Sequence, residues 1–235
     1  MSRARYYLER QLRFLVRVRA LVPTSNMISV ASLLFASVLF LNSFESVAAT
    51  TVDGKAIFTT TCIACHGSKG EGNIKIGAPN IGGMDATYVT RQLANFAAGV
   101  RGADPKDSYG AQMRAAIAVL KTDADRAAVA AYISTLQKIK STTVVKGDLS
   151  YGSSQFNAIC SSCHESRAQG NVQMGAPSLQ GLEPAYMERQ ILAFRSGTRG
   201  ANKDDKPGSL MKVGANMLPD SKSAHDVVTY ITTLK

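Results

Sequence analysis

Two copies of the pentapeptide Cys-x-x-Cys-His constrain this chain of 235 residues more than any other feature. They occupy residues 62–66 and 160–164 and contain all four cysteines and two of the three histidines. In this motif both thiols typically form thioether bonds to the vinyl groups of haem, and the histidine supplies an axial nitrogen to the iron. We therefore predict two covalently bound haem c groups. The predicted attachment residues are Cys62, Cys65, Cys160 and Cys163, and the predicted iron ligands include His66 and His164.

Both motifs belong to a longer internal repeat. When the sequence is shifted by 98 residues, the two motifs coincide and many flanking residues match without a gap. The matches include Phe58 with Phe156, Gly77–Ala78–Pro79 with Gly175–Ala176–Pro177, Arg91–Gln92 with Arg189–Gln190, Arg101 with Arg199, and Tyr132 with Tyr230. We predict two tandem domains, at 50–145 and 146–235, joined by a connector near 138–147. Because a domain of about 90 residues buries little apolar surface, we expect each haem to supply part of the core.

Residues 1–49 have the pattern of an export signal. Six arginines precede residue 20, an apolar run covers 27–41, and the small residues Val47–Ala48–Ala49 resemble a cleavage site. This pattern predicts a periplasmic protein. Two alternatives remain open: an uncleaved N-terminal anchor, which would associate the protein with the membrane, and a translation start at Met27.

Charge and cysteine placement exclude other classes of function. Residues 50–235 contain 21 Lys and Arg against 15 Asp and Glu, a formal charge of +6, and they have no basic run. Nucleic-acid binding is therefore not expected. A zinc site or a thiol redox pair would leave the repeated methionines and the export signal unexplained, and no cysteine remains for a structural disulfide.

The hydrophobic pattern after residue 49 predicts an all-α fold. Two helix faces repeat at the fixed offset: Val129, Tyr132, Ile133 and Leu136, and their counterparts 98 residues later. Segments 88–96 and 186–194 predict a second helix in each half, each ending near a glycine. Short helices are expected before each motif, near 54–60 and 152–158. Thr122 and Asp125 have the spacing of a capping box.

Methionine is the expected ligand on the far side of each iron. His225 aligns with Ala127 and so cannot serve both halves, whereas Met113 and Met211 are the one methionine pair 98 residues apart after residue 49. We predict that these two methionines ligate iron. The alternative is that both fill equivalent gaps in the core. A thioether favours ferrous iron, and complete coordination leaves no position for oxygen or peroxide.

Several repeated residues are candidates for supporting roles. Pro79 and Pro177 each lie 13 residues after a motif histidine, where their carbonyls can accept its second ring N–H. Arg101 and Arg199 are candidates for pairing with haem propionates, although solvated arginines would give the same pattern. Two helix positions of each half, Tyr88 and Arg91 with Tyr186 and Arg189, either line the haem or pack the helix.

The chain resembles the di-haem class I cytochromes c of the cytochrome c4 type. The resemblance covers nearly all of 50–235. It is carried by the motifs, Pro79, Tyr88/Gln92/Leu93/Phe96, Gly99/Arg101 and Met113, and by Pro177, Tyr186/Gln190/Ile191/Phe194, Gly197/Arg199 and Met211. It implies two class I cytochrome c domains, each a small helical fold wrapped around one covalently bound haem. Two departures are Ile191 for leucine and Glu165 for the glycine after His164. Glu165 is expected to add a negative charge beside the second haem.

These features predict a periplasmic, non-enzymatic carrier of single electrons. The resemblance implies redox protein partners, such as a quinol-oxidising complex as donor and a terminal oxidase as acceptor. The alternatives are the cytochrome subunit of a dehydrogenase complex and a di-haem peroxidase. A peroxidase would need one iron with a free coordination position.

Overall fold

The computed structural model describes residues 52–234, so the predicted export signal at 1–49 lies outside the described residues. Within 52–234 the chain is helical, without a β-strand; two isolated bridges join Asn73 to Ala78 and Asn171 to Ala176. This confirms the all-α prediction. No helix in the same range combines the length and the apolar character needed to cross a membrane.

The two halves repeat one order of helices. The first half contains α1 (Gly54–Ile57), a π-helical segment (Phe58–Cys62), α2 (Ile63–His66), a 3-10 turn (Ile74–Ile76), α3 (Ala86–Ala97), α4 (Ser108–Ala116), a 3-10 turn (Ile117–Val119) and α5 (Asp123–Thr135). The second half contains α6 (Leu149–Gln155), a π-helical segment (Phe156–Cys160), α7 (Ser161–His164), α8 (Pro184–Ser196), α9 (Lys206–Asn216) and α10 (Ser221–Thr233). The helices α4 and α9, which carry Met113 and Met211, were not predicted from the hydrophobic pattern.

Side-chain caps explain where most helices begin. Aspartate side chains accept backbone N–H bonds at the starts of six helices: Asp53, Asp85, Asp107, Asp148, Asp205 and Asp220. Each bond satisfies a donor that the first helical turn leaves free. The predicted capping box is present at α5, where Thr122 accepts from the Asp125 amide and Asp125 accepts from the Thr122 amide.

Each half has its own apolar core, and the two cores use equivalent residues. The first contains Phe58, Val89, Leu93, Phe96, Ile117, Leu120, Val129, Ala130 and Ile133. The residues 98 positions later are all buried in the second core: Phe156, Met187, Ile191, Phe194, Ala215, Leu218, Val227, Val228 and Ile231. The sequence repeat is therefore also a repeat of the packing.

Glycine allows the first and last helices of each half to cross closely. A Cβ at Gly54 would lie 2.0 Å from the Ala128 carbonyl oxygen of α5, and one at Gly152 would lie 2.1 Å from the Asp226 carbonyl oxygen of α10. Both obstacles are backbone atoms, which cannot rotate away. The helix crossing therefore requires glycine at both positions.

The substitution Gly152→Ala is expected to destabilise the protein by about 2 kcal/mol, because α6 and α10 must move apart. Gly214→Ala is the matched control. The nearest atom to a Cβ there is 3.8 Å away, and alanine favours a helix interior by about 0.5–1 kcal/mol. Chemical unfolding of the holoprotein measures both effects. Equal effects of the two substitutions would contradict the close crossing.

The connector between α5 and α6 is held by hydrogen bonds along its first part. The Ser141 amide donates to the Gly181 carbonyl (2.9 Å), and the Ser141 hydroxyl donates to the Glu183 carboxylate (2.6 Å). The Asn80 side chain donates to the carbonyls of both Ile139 and Gly181, each at 2.7 Å. These bonds tie the connector to the second half and, through Asn80, to the first.

His225 lies on α10 and has an acceptor at each ring nitrogen. Nε2 lies 2.9 Å from the Lys146 carbonyl oxygen, and Nδ1 lies 3.2 Å from a Glu188 carboxylate oxygen. An imidazole can donate at both nitrogens only when it is protonated. The Lys146 carbonyl, followed by Glu188, therefore raises the pKa of His225.

We expect His225 to contribute stability that depends on pH. Because its pKa is higher in the folded chain, the contribution is complete below the unfolded-state pKa and is lost as the pH rises through the folded-state pKa. The midpoint of chemical unfolding, measured across this range, should fall with rising pH more steeply in the wild-type protein than in His225→Gln. Parallel pH profiles would show that the two bonds do not favour the imidazolium.

Candidate haem sites

A cleft beside each Cys-x-x-Cys-His motif separates the motif from the rest of its half. The first cleft has about 1240 Å³ of space, including its open mouth, and the second has about 1260 Å³. The π-helical segment before each motif ends at the first cysteine, and its buried Phe58 or Phe156 anchors it in the core. The helix therefore delivers both cysteines and the histidine to one wall of the cleft.

Both motif histidines are buried and oriented by a proline carbonyl. Nδ1 of His66 lies 2.8 Å from the Pro79 oxygen, and Nδ1 of His164 lies 2.9 Å from the Pro177 oxygen. Burial lowers the pKa of both imidazoles, and the bond to the carbonyl offsets part of this effect. Each ring is therefore neutral near pH 7 with its proton on Nδ1, which leaves the Nε2 lone pair available to a metal. The predicted role of the two prolines agrees with this geometry.

Each cleft is also lined by a methionine at an equivalent position. Met113 lines the first cleft with His66, and Met211 lines the second with His164. Met84 also lines the first cleft, and Met174 and Met187 also line the second. These three lack a methionine partner 98 residues away. Positions 113 and 211 are therefore the equivalent positions at which both clefts have a methionine.

Where the halves meet, two buried arginines share two glutamine oxygens. The Gln92 oxygen accepts from Arg101 (2.7 Å) and Arg199 (2.8 Å), and the Gln190 oxygen accepts from Arg199 (2.7 Å) and Arg101 (3.0 Å). We call these four residues the Arg–Gln ring. Each guanidinium also lies over a phenylalanine of its own half, at 4.4 Å from the ring centroid.

Neither charge of this ring forms an ion pair within residues 52–234. Neither guanidinium lies within 4.0 Å of a carboxylate oxygen, and the Nε atoms of Arg101 and Arg199 are buried without a hydrogen-bond partner. A buried charge normally requires an opposite charge. Each arginine lines the cleft of its own half, so a ligand with carboxylates would satisfy it. Haem carries two propionates and fits both clefts in this respect.

Comparison with known proteins agrees with this chemistry. The family model "Cytochrome c" matches residues 51–137 and again residues 149–235. The chain belongs to the cytochrome c family. Its cofactor is therefore covalently bound haem c, one group in each domain, and the motif cysteines at 62/65 and 160/163 fit this attachment.

Relatives of this cytochrome c are named as cytochromes c4 or as electron acceptors of a dehydrogenase. Cytochrome c4 of Azotobacter vinelandii is 27% identical over 161 residues, which is 65% of this chain and 74% of the relative. The thiosulfate dehydrogenase electron acceptor of Stutzerimonas stutzeri is 26% identical over 185 residues, 71% of this chain and 82% of the relative. The crystal structure of reduced recombinant cytochrome c4 from Pseudomonas stutzeri has the same fold, with a TM-score of 0.59 and 23% identity over 77% of this chain and 97% of that chain. This cytochrome is a di-haem class I cytochrome c of the cytochrome c4 type.

Burial keeps the first cysteine of each motif protonated before haem is attached. It raises the pKa of the Cys62 thiol to about 11 and that of Cys160 to about 12, and in each case the second cysteine of the motif raises it further. Both thiols are therefore neutral, weak nucleophiles in the folded chain.

The residue after each histidine differs between the two domains, but a carboxylate lies beside both. Glu165 adopts φ 66° and ψ 161°, nearly the conformation of Gly67 in the first domain. A Cβ at Gly67 would lie 2.3 Å from Cδ of Glu71, so the Glu71 carboxylate already fills that space. Glu165 therefore does not by itself distinguish the two sites by charge, because the first site has the Glu71 carboxylate in the equivalent space.

Glu165→Gly is expected to stabilise the protein by about 1 kcal/mol. The backbone at this position lies in a region that non-glycine residues occupy at a cost of about 1–3 kcal/mol, and the bond from Asn171 to the Glu165 carboxylate (2.8 Å) offsets part of it. Glu165→Ala is the control, since it keeps the strain and loses the bond. Thermal unfolding should rank glycine above glutamate and glutamate above alanine. A glycine variant less stable than the wild type would refute the assigned strain.

The sequence did not identify every residue of the clefts. Tyr109 lines the first cleft, and its ring would collide with a Cβ at Gly77, at 2.5 Å. Its counterpart is Pro207, so the repeat gave no signal for it. Gln92 and Gln190 did carry a signal, because the same amide recurs at the equivalent position of both helices.

Proposed function

We propose that this di-haem cytochrome carries single electrons between redox proteins in the periplasm and has no catalytic activity of its own. The observation that supports the proposal is that the two clefts are lined by the same candidate ligands. A motif histidine and a methionine at the repeated position line each cleft. Two sites of one type are suited to passing an electron on rather than to binding a substrate.

The proposed iron ligands are His66 and Met113 in the first domain and His164 and Met211 in the second. Bound haem c supplies an iron that alternates between ferric and ferrous states. Pro79 and Pro177 hold the Nδ1 protons of the histidines, so each Nε2 points its lone pair into the cleft. If these residues hold the iron in both oxidation states, electron transfer would require little structural change in this chain.

The proposed partners are redox proteins. A quinol-oxidising complex as donor and a terminal oxidase as acceptor suit a respiratory carrier of this type. The similarity to thiosulfate dehydrogenase electron acceptors favours a second type of donor. This donor would be a dehydrogenase that passes its electrons to this chain. The export pattern in residues 1–49 supports the periplasmic location.

A di-haem peroxidase is the alternative that ligand binding tests most directly. A carrier with two closed sites should bind carbon monoxide slowly and incompletely in the reduced state, and peroxide should not be consumed. Fast carbon monoxide binding at one haem, with peroxide turnover, would favour the enzyme. A dehydrogenase subunit would show itself as a stable complex with a second chain on size-exclusion chromatography.

The substitutions Met113→Ala and Met211→Ala test the ligands one haem at a time. Each should abolish the sulfur-to-iron charge-transfer band of one ferric haem and lower its potential by on the order of 0.1 V, because axial ligands set haem potentials over about 0.8 V. Covalent attachment should survive, so intact mass should still report two haems. A spectroscopic redox titration measures the spectrum and the potential together.

The matched controls are methionines that line the same clefts without a repeated partner. Met84→Leu in the first domain and Met174→Leu in the second should leave both the band and the potential unchanged. If Met84→Leu removed the band while Met113→Ala did not, the ligand assignment for the first haem would be wrong. The same reasoning applies to Met174 and Met211.

A further inference from the structure

Each cleft is completed by residues of the other domain. Tyr186, Arg189 and Gln190 of the second domain line the first cleft, beside Gly77, Ala78 and Pro79. Their counterparts Tyr88, Arg91 and Gln92 line the second cleft, beside Gly175, Ala176 and Pro177. Of these residues, one arginine on each side makes a direct bond across the boundary to the proline loop.

The two bonds cross in opposite directions. Arg91 Nη2 donates to the Gly175 carbonyl at 2.6 Å, and Arg189 Nη2 donates to the Gly77 carbonyl at 2.7 Å. Within residues 52–234, neither carbonyl accepts any other hydrogen bond. Each loop carbonyl therefore depends on an arginine from the other domain.

The contacted glycines lie in the short loops that orient the histidines. Gly77 lies two residues before Pro79, and Gly175 lies two residues before Pro177. Both glycines have φ near 70°, and in each loop the next residue pairs with an asparagine through two backbone bonds. The Gly175 carbonyl is thus separated by one residue, Ala176, from the Pro177 carbonyl that orients His164. Movement of one carbonyl is expected to displace the other.

Close packing leaves little freedom at either contact. A Cβ at Gly175 would lie 2.7 Å from Nη1 of Arg91. In the first domain the Tyr109 ring takes that role, and the Arg189 guanidinium stacks on it at 4.1 Å from the ring centroid. Both arginines also have a buried Nε without a hydrogen-bond partner. The guanidiniums are therefore fixed groups of positive charge at the edge of the opposite cleft.

We propose that Arg91 is a positioning residue for the second haem and that Arg189 is one for the first, each acting through the proline loop of the other domain. For its effect on iron, the proposal rests on the proposed ligation by His66 and His164. Its effect on the loops does not depend on that ligation. The repeat sequence alone would assign each arginine to its own domain.

The test compares Arg91→Gln and Arg189→Gln in the doubly haem-loaded protein by two NMR measurements. Amide hydrogen exchange reports on the loops: Arg91→Gln should speed exchange at Asn171 and Ala176 by about three- to tenfold and leave Asn73 and Ala78 unchanged, because one net hydrogen bond is lost. Arg189→Gln should give the converse pattern.

The second measurement follows amide signals of each domain during a redox titration, so that each haem is identified by its own domain. Removing a positive charge favours ferric iron, so Arg91→Gln should shift the ferric-to-ferrous ratio of the second haem by about three- to tenfold at a fixed ambient potential. The first haem should shift less. Arg91→Lys should restore this ratio but leave exchange at Ala176 raised, because the flexible ammonium lacks the planar guanidinium that packs against Gly175.

The controls are arginines that bond within their own domain. Arg114 donates to the Phe96 carbonyl (3.3 Å) and Arg195 donates to the Pro219 carbonyl (3.0 Å). Their glutamine variants remove the same charge without a bond across the boundary and should change neither loop. The proposal is overturned if Arg91→Gln affects the loop and haem of its own domain as much as or more than those of the second domain, or if it affects neither. Should the iron ligands differ from those proposed, the exchange result would still decide the role of the loops.

Discussion

Two buried guanidinium groups without a carboxylate partner determine how the domains of this cytochrome meet. Within residues 52–234 both guanidiniums donate to the amide oxygens of Gln92 and Gln190, and Arg199 also donates to the Tyr88 hydroxyl (3.3 Å). These acceptors are neutral, and neither charge forms an ion pair there. A buried charge without an opposite charge nearby is costly. Loss of an anion that pairs with such a charge should therefore destabilise the protein more than loss of a single hydrogen bond. The propionates of a bound haem would supply the carboxylates that these guanidiniums lack, and this would couple the contact between the domains to the cofactor.

Local features of the fold were predictable because they depend on residues close in sequence. The helix faces at 129–136 and the capping box at Thr122 follow from spacing alone, and the repeat transfers them to the second half. Helix α4 was missed because its sequence, Ser-Tyr-Gly-Ala-Gln-Met-Arg-Ala-Ala, has no apolar periodicity and contains Gly110. That helix is stabilised by its aspartate cap and by tertiary packing, which a pattern of hydrophobic residues does not report.

The candidate sites were also predictable only in part. The repeat pairs Met113 with Met211 and Pro79 with Pro177, so it identifies equivalent positions in the two clefts. It does not identify neighbours, and for this reason the contact of Arg91 with the opposite domain was not foreseen. The repeat also did not show that the Glu71 carboxylate in the first domain takes the place of Glu165 in the second. An alignment at a fixed offset compares each residue only with its equivalent.

The connector reduces how tightly this polar interface must hold the two domains together. Bonds from Ser141 and Asn80 hold its first part against the protein, so the two domains remain at a high effective concentration whatever their intrinsic affinity. A contact made largely of arginine and glutamine would be a weak basis for a dimer of separate chains. Because the two copies lie in one chain, the interface need not hold separate chains together. Its residues can instead serve to orient the two domains.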